Sequence, residues 1–148
     1  MSKTIFDAKG VTQPSTSLTI DRGRLRLFAK ATGQTDPVYF DLEAAKAAGY
    51  PDLLVPPTFL FGIDLEQPDP FAFYKEHNVD MTRVLHGSQR FEYLAPVFAG
   101  EEVVSTRSCT DVYDKKGGAL TFVDSESVIT RGGQSVAILT TSTVIRNA

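Results

Sequence analysis

Few side chains in this sequence can move a proton near neutral pH. The chain has two histidines and one cysteine. His77 lies in the polar run Lys75-Glu76-His77-Asn78, His86 opens a strand-like stretch, and Cys109 lies inside another. The densest set of other polar candidates falls within residues 31–59, at Gln34, Asp36, Tyr39 and Thr58. Gln34 can donate and accept hydrogen bonds but has no proton to exchange near neutrality. Tyr39 carries a phenol with an ordinary pKa of about 10, which makes it a donor and a poor base. Asp36 precedes Pro37; Asp-Pro commonly starts a turn, so this carboxylate is expected on local backbone. Thr58 follows Pro56-Pro57 and can cap a helix, whose first N–H groups suit developing negative charge. His86 reads as a polar residue satisfied at a sheet end, and His77 as exposed. Cys109 reads as a small buried residue rather than a nucleophile. Lys115 and Lys116 read as a solvated hairpin tip.

Composition narrows the classes further. A length of 148 residues fits one domain, residues 1–148, large enough for a sizeable core. The chain is 42% hydrophobic and 22% charged, ordinary for a soluble globular protein. A net charge of −3 gives no reason to expect nucleic acid or an anionic membrane as partner. No apolar run approaches the roughly 18 residues of a membrane span, and the first residues lack the apolar segment of a secretory signal. A lone cysteine excludes an internal disulfide, and this His/Cys inventory is poor material for zinc. A cytoplasmic protein without metal or cofactor is expected.

The elements that must hold the candidates can be placed. Residues 16–20 form a short strand. Asp21 caps a helix with Leu25, Phe28, Ala29 and Thr32 on one face, ending near Gly33. Asp41 caps a second helix, Leu-Glu-Ala-Ala-Lys-Ala-Ala, stopped at Gly49. Pro56-Pro57 force an extended approach to a third helix beginning at Phe59. That helix is apolar nearly all round, so burial is expected, and Gly62 would allow close packing on a sheet. Residues 71–80 are ambiguous between helical turn and loop. Four strands follow, at about 83–94, 101–114, 119–131 and 134–146. Pro96 to Gly100, Lys116-Gly117-Gly118 and Gly132-Gly133 separate them. The order predicts an α+β fold, with a long antiparallel sheet wrapped around a central apolar helix. Such a sheet leaves an edge strand exposed, and pairing it with another subunit removes that liability.

Asp36-Pro37-Val38-Tyr39, Ala44-Ala45-Lys46, Gly49-Tyr50 and Val55-Pro56-Pro57-Thr58-Phe59 stand in order within residues 31–59. Residues 85–103 add Leu85-His86-Gly87-Ser88-Gln89-Arg90-Phe91-Glu92-Tyr93 and Ala95-Pro96-Val97-Phe98-Ala99-Gly100. Together these resemble the MaoC-like hydratases and dehydratases, hot-dog-fold enzymes, and specifically the N-terminal-type (FAS1-like) dehydratase domain. In that family the first segment reads roughly Gly-Asp-x-Asn-Pro-[Leu/Ile]-His, with Asp as base and His as its acid partner. Here the Asp position holds Gln34 and the His position Tyr39.

The resemblance implies a hydro-lyase acting in fatty acid metabolism on an acyl-CoA or acyl-carrier-protein thioester. It also implies a homodimer, or a heterodimer with a second MaoC-like subunit. Hydration of an enoyl thioester needs a base for water at C3, an acid at C2 and donors for the carbonyl. Losing acid–base help removes roughly 10²- to 10⁴-fold in rate. The expectation is therefore a non-catalytic half of an (R)-specific enoyl thioester hydratase or 3-hydroxyacyl dehydratase, with no confident catalytic residue. Its implied substrate-binding residues are Tyr39, Pro57, Thr58, Gly87 and Gln89, with the backbone N–H of Thr58 as the carbonyl donor. Two alternatives stay open. One is an active lyase or thioesterase using His86 or Asp36; the other is a homodimeric module that binds an acyl thioester without transforming it.

Overall fold

The computed structural model describes residues 2–147. The chain runs β1 (Thr16–Thr19), α1 (Arg22–Ala31), α2 (Leu42–Ala47), a central 3-10 helix (Phe59–Glu66) and α3 (Ala72–Glu76). Four long strands follow: β2 (Val84–Tyr93), β3 (Glu102–Lys115), β4 (Leu120–Arg131) and β5 (Gln134–Arg146). They form one antiparallel sheet in the order β1-β3-β4-β5-β2. The predicted α+β arrangement is present, with strand ends within a residue or so of those expected. At the β4–β5 turn, Gly132 and Gly133 both have positive φ (56° and 80°), the pairing that a tight two-residue hairpin demands.

Aspartates organise the first half. Asp21, Asp36 and Asp41 accept from the backbone N–H groups of Arg24, Val38 and Ala44, each two or three residues ahead, so each helical turn is capped locally. Leu25 and Ala29 are fully buried on α1. Thr32 is exposed instead of sharing that face; as the residue capping the helix end it turns its hydroxyl back onto the Phe28 carbonyl. Gly33 then takes φ 75°, with Gly33 N–H on Lys30 O and Gln34 N–H on Ala29 O. This two-bond closure ends the helix and positions Gln34.

The central helix departs from its expected burial. Phe59, Leu60 and Ile63 are buried, whereas Phe61 is half-buried and Leu65 is 52% exposed. Phe61 and Leu65 instead line open grooves beside His86. His77 is a second correction. It is buried (3% exposed), with Nδ1 2.7 Å from the Phe73 carbonyl oxygen and its ring 4.9 Å from that of Phe73. Residues 72–76 form a short helix, and its last turn folds the imidazole inward.

The interior is divided in two. One cluster joins Ile20, Leu25, Ile63, Val103, Ile129 and Leu139; the other joins Ile5, Phe73, Tyr74, Val112, Val123 and Ile145. Full burial of each aliphatic side chain contributes about 1.5–3 kcal/mol. Across the sheet's inner face the buried residues include Ser105, Ser125, Ser127, Thr141 and Thr143. Among the described residues no helix is long and apolar enough to cross a membrane.

Candidate functional site

The segment expected to carry chemistry is a tight 3-10 turn, Pro37–Tyr39. Asp36 is consumed in building it, as expected, through its bond to Val38 N–H at 3.1 Å. Tyr39 is half-buried. Burial pushes its phenol above its ordinary range, with the Asp36 charge adding to the effect. It stays protonated near neutral pH. Gln34 is also half-buried, and its side chain makes no hydrogen bond to the described residues. The loop's carboxylate, Asp36, is thus turned onto its own backbone, between Gln34 and Tyr39.

Thr58 differs from the expected cap. Its φ is 70°, a left-handed conformation that is strained for a β-branched residue, and its side chain makes no capping bond. The chain reverses sharply after Pro56-Pro57, and the hydroxyl cannot reach the first turn of the helix in that geometry. The backbone N–H of Thr58 is engaged: it donates to Tyr93 Oη at 2.8 Å. Tyr93 stands at the end of β2, 51% exposed, and its ring stacks on Phe91 with centroids 5.9 Å apart. A phenol oxygen therefore occupies the donor that the resemblance assigns to a thioester carbonyl. Position 93 carried no sequence signal for this role.

Two apolar grooves flank that bond. One, of about 320 Å³, is walled by Tyr39, Val55, Pro57, Leu60 and Tyr93. The other, of about 490 Å³, runs along Phe28, Thr58, Phe61, Gln89 and Phe91, with His86 at its wall. The five expected binding residues thus divide: Tyr39 and Pro57 border the first groove, Thr58 and Gln89 the second. Gly87 meets a packing requirement, because a Cβ there would lie 2.8 Å from Ser142 O and from Val144 Cγ2. It sits at an irregularity in the β2–β5 register.

The remaining candidates do not converge. His86 is exposed, makes no hydrogen bond to the described residues, and meets Phe61 edge-on at 5.6 Å. It is not the satisfied sheet-end residue expected. Cys109 is buried, and burial raises its thiol pKa, consistent with an inert core residue. Lys115 lies with Nζ 4.6 Å from the Phe122 ring centroid, beside the stacked Tyr113. No group of three His, Cys, Asp or Glu that could hold a metal gathers among the described residues.

The edge strand β2 pairs only with β5. Leu85, Tyr93 and Leu94, on or just beyond it, are each about half exposed (47%, 51% and 49%). Long, partly apolar and otherwise unpaired, such an edge is a template for another strand.

Comparison with known proteins agrees with this architecture. Residues 7–139 match the FAS1-like dehydratase domain region. The UPF0336 protein of Leifsonia xyli subsp. xyli is 37% identical over 134 residues, covering 90% of this chain and 89% of the relative. That of Streptomyces coelicolor is 34% identical, covering 91% and 89%. Among solved structures, the C-terminally truncated HadBC (3R-hydroxyacyl-ACP dehydratase) complex of Mycobacterium tuberculosis is similar at TM-score 0.76 and 26% identity, covering 93% and 97%. The ChsH1–ChsH2 complex of the same organism shares the fold at TM-score 0.76 and 20% identity, covering 97% and 92%. A MaoC-like dehydratase aligns at TM-score 0.83 and 22% identity, with this chain covering 43% of it. Hot-dog architecture, motif order and family match coincide: the chain belongs to the MaoC-like dehydratases, as a FAS1-like dehydratase domain.

Proposed function

We propose that this chain is the acyl-binding, non-catalytic half of an (R)-specific enoyl thioester hydratase or 3-hydroxyacyl dehydratase in cytoplasmic fatty acid metabolism. It pairs with a second MaoC-like subunit that carries the Asp/His pair. The observation that carries this reading is the Thr58–Tyr93 bond at 2.8 Å. The carbonyl donor is already engaged by a protein oxygen, beside a loop whose two proton-transfer positions hold Gln34 and Tyr39. The chain presents apolar grooves that suit an acyl chain, with no assembled base to act on it. Partner choice is supported by the exposed β2 edge, and by the HadBC and ChsH1–ChsH2 neighbours, which are complexes of two named components. The acyl carrier is CoA or acyl carrier protein.

The test is co-expression with a MaoC-like subunit bearing the Asp/His pair, followed by an enoyl-thioester hydration assay. Activity is expected from the complex and not from this chain alone. Full hydration by the isolated chain, abolished in Tyr39→Phe or Gln34→Ala, refutes the reading. Binding without activity in the complex would instead mark a module that holds thioesters.

A further inference from the structure

The division of the core contains a feature that neither the fold nor the proposed pairing requires. On the inner face of β3, Ser105 and Arg107 point at the central helix, where Asp64 receives them. Asp64 accepts from the hydroxyls of Ser105 and, at 2.8 Å, of Ser127. Arg107 is left short of partners. Its nearest carboxylate oxygen, Asp64 Oδ2, is 3.9 Å away, and its side chain is only 16% exposed. Its Nε is buried and donates to no protein atom. A largely buried guanidinium with an unanswered N–H is costly unless an acceptor reaches it.

Arg107 and Asp64 face a cavity of about 200 Å³ lying between the two apolar clusters, with Tyr74, Thr141 and Thr143 also on its wall. Two of the neighbouring polar groups already have partners. Tyr74 donates to Thr143 Oγ1, and Thr141 donates to Gln89 Oε1. This cavity shares Phe61, Leu65 and His86 with the 490 Å³ apolar groove. A chain lying in the groove against Phe28 and Phe91 would therefore pass from apolar walls to the Arg107 guanidinium, which makes no hydrogen bond among the described residues.

We propose that Arg107 forms the distal polar end of the acyl groove and selects an acyl chain that carries an uncharged oxygen, a hydroxyl or oxo group, away from the thioester. Charge sets the choice of an uncharged group. Arg107 and Asp64 cancel at the site, so the guanidinium needs an acceptor rather than a counter-ion. A plain alkyl chain leaves those donors unanswered, which is the discrimination that polar sites make well. This inference rests on the acyl-binding reading above.

The test uses the full chain and N-acetylcysteamine thioesters of saturated acids in a series of increasing length, each with a plain, an ω-hydroxy or an anionic ω-carboxy end, titrated calorimetrically. At one chain length the ω-hydroxy probe is expected to bind roughly tenfold tighter than the plain one, as for a hydrogen bond to a charged group. Arg107→Met should erase that difference, with the plain probe binding at least as tightly as to the wild type. The double variant Asp64→Asn with Arg107→Met removes both charges together and guards against a folding defect in the single one. Equal binding of plain and hydroxylated probes at every length, or a preference for the ω-carboxy end, overturns the inference while leaving the acyl-binding reading intact. Binding of no thioester at all removes both.

Discussion

Tyr93→Phe is the most direct probe of the site. It keeps the ring that stacks on Phe91 and walls the 320 Å³ groove, and it removes only the oxygen that accepts from Thr58 N–H. Tyr93 is 51% exposed, so water can answer the freed N–H, and the loss falls in the lower part of the usual range, about 0.5–1 kcal/mol. For a chain of this size that lowers the melting temperature by about 1–4 °C. The same bond must be surrendered when a carbonyl takes the donor. Whatever it contributes to the free protein is therefore subtracted from ligand affinity, and its removal should tighten thioester binding by roughly 2- to 5-fold. Thermal denaturation of wild type and variant, paired with calorimetric titration of a neutral acyl thioester, reads both effects. A variant that melts lower and binds tighter supports competition between phenol and carbonyl. Weaker binding would mean that the phenol holds the ligand, and unchanged values of both would mean that the bond carries no weight; either refutes the reasoning.

Other expectations follow from single observations. Gly87→Ala brings a methyl to 2.8 Å from Ser142 O and Val144 Cγ2; a loss of about 1–3 kcal/mol is expected, and an unmoved urea midpoint would show that the bulge absorbs it. Arg22 grips Asp52 with two bonds of 2.9 and 2.7 Å and holds its carboxyl below the usual range. The folded pKa is then below the unfolded one, so the stabilisation is present above about pH 4 and is lost as pH falls through the folded value. Both side chains are partly exposed (47% and 20%), so solvent screening keeps the effect small; Asp52→Asn should flatten the acid limb of a stability profile, and an unaltered limb argues against it. Lysines at Leu85 and Leu94, on and just beyond the β2 edge, should shift the assembly toward monomer in light scattering while the melting temperature of the monomer changes little; an unchanged mass would place the interface elsewhere.

Several structural features follow from short-range rules. The caps at Asp21, Asp36 and Asp41 close onto N–H groups two or three residues ahead, and the hairpins turn at glycines with positive φ. Helix starts, strand ends and the family motif could therefore be read in order, because each depends on chain neighbours and on alternation along one strand. His77 could not be read this way: a polar run gave no warning that its imidazole would fold beneath α3 onto Phe73. The buried face of the central helix was equally hidden, since an evenly apolar segment carries no sign of which side a sheet will cover.

The chemistry divides along the same line. From residue types alone, the positions that the resemblance assigns to proton transfer lack a base, because glutamine and a protonated tyrosine cannot act as one whatever the fold around them. Tertiary structure alone decided what became of the Thr58 N–H and of Arg107. The Thr58–Tyr93 bond joins residues 35 apart, and Arg107 meets Asp64 from a different element of the fold. Such meetings are set by strand register, sheet curvature and the path of the chain after Pro57. Local sequence specifies the pieces, but which donor faces which acceptor depends on how a five-stranded sheet closes around its helix.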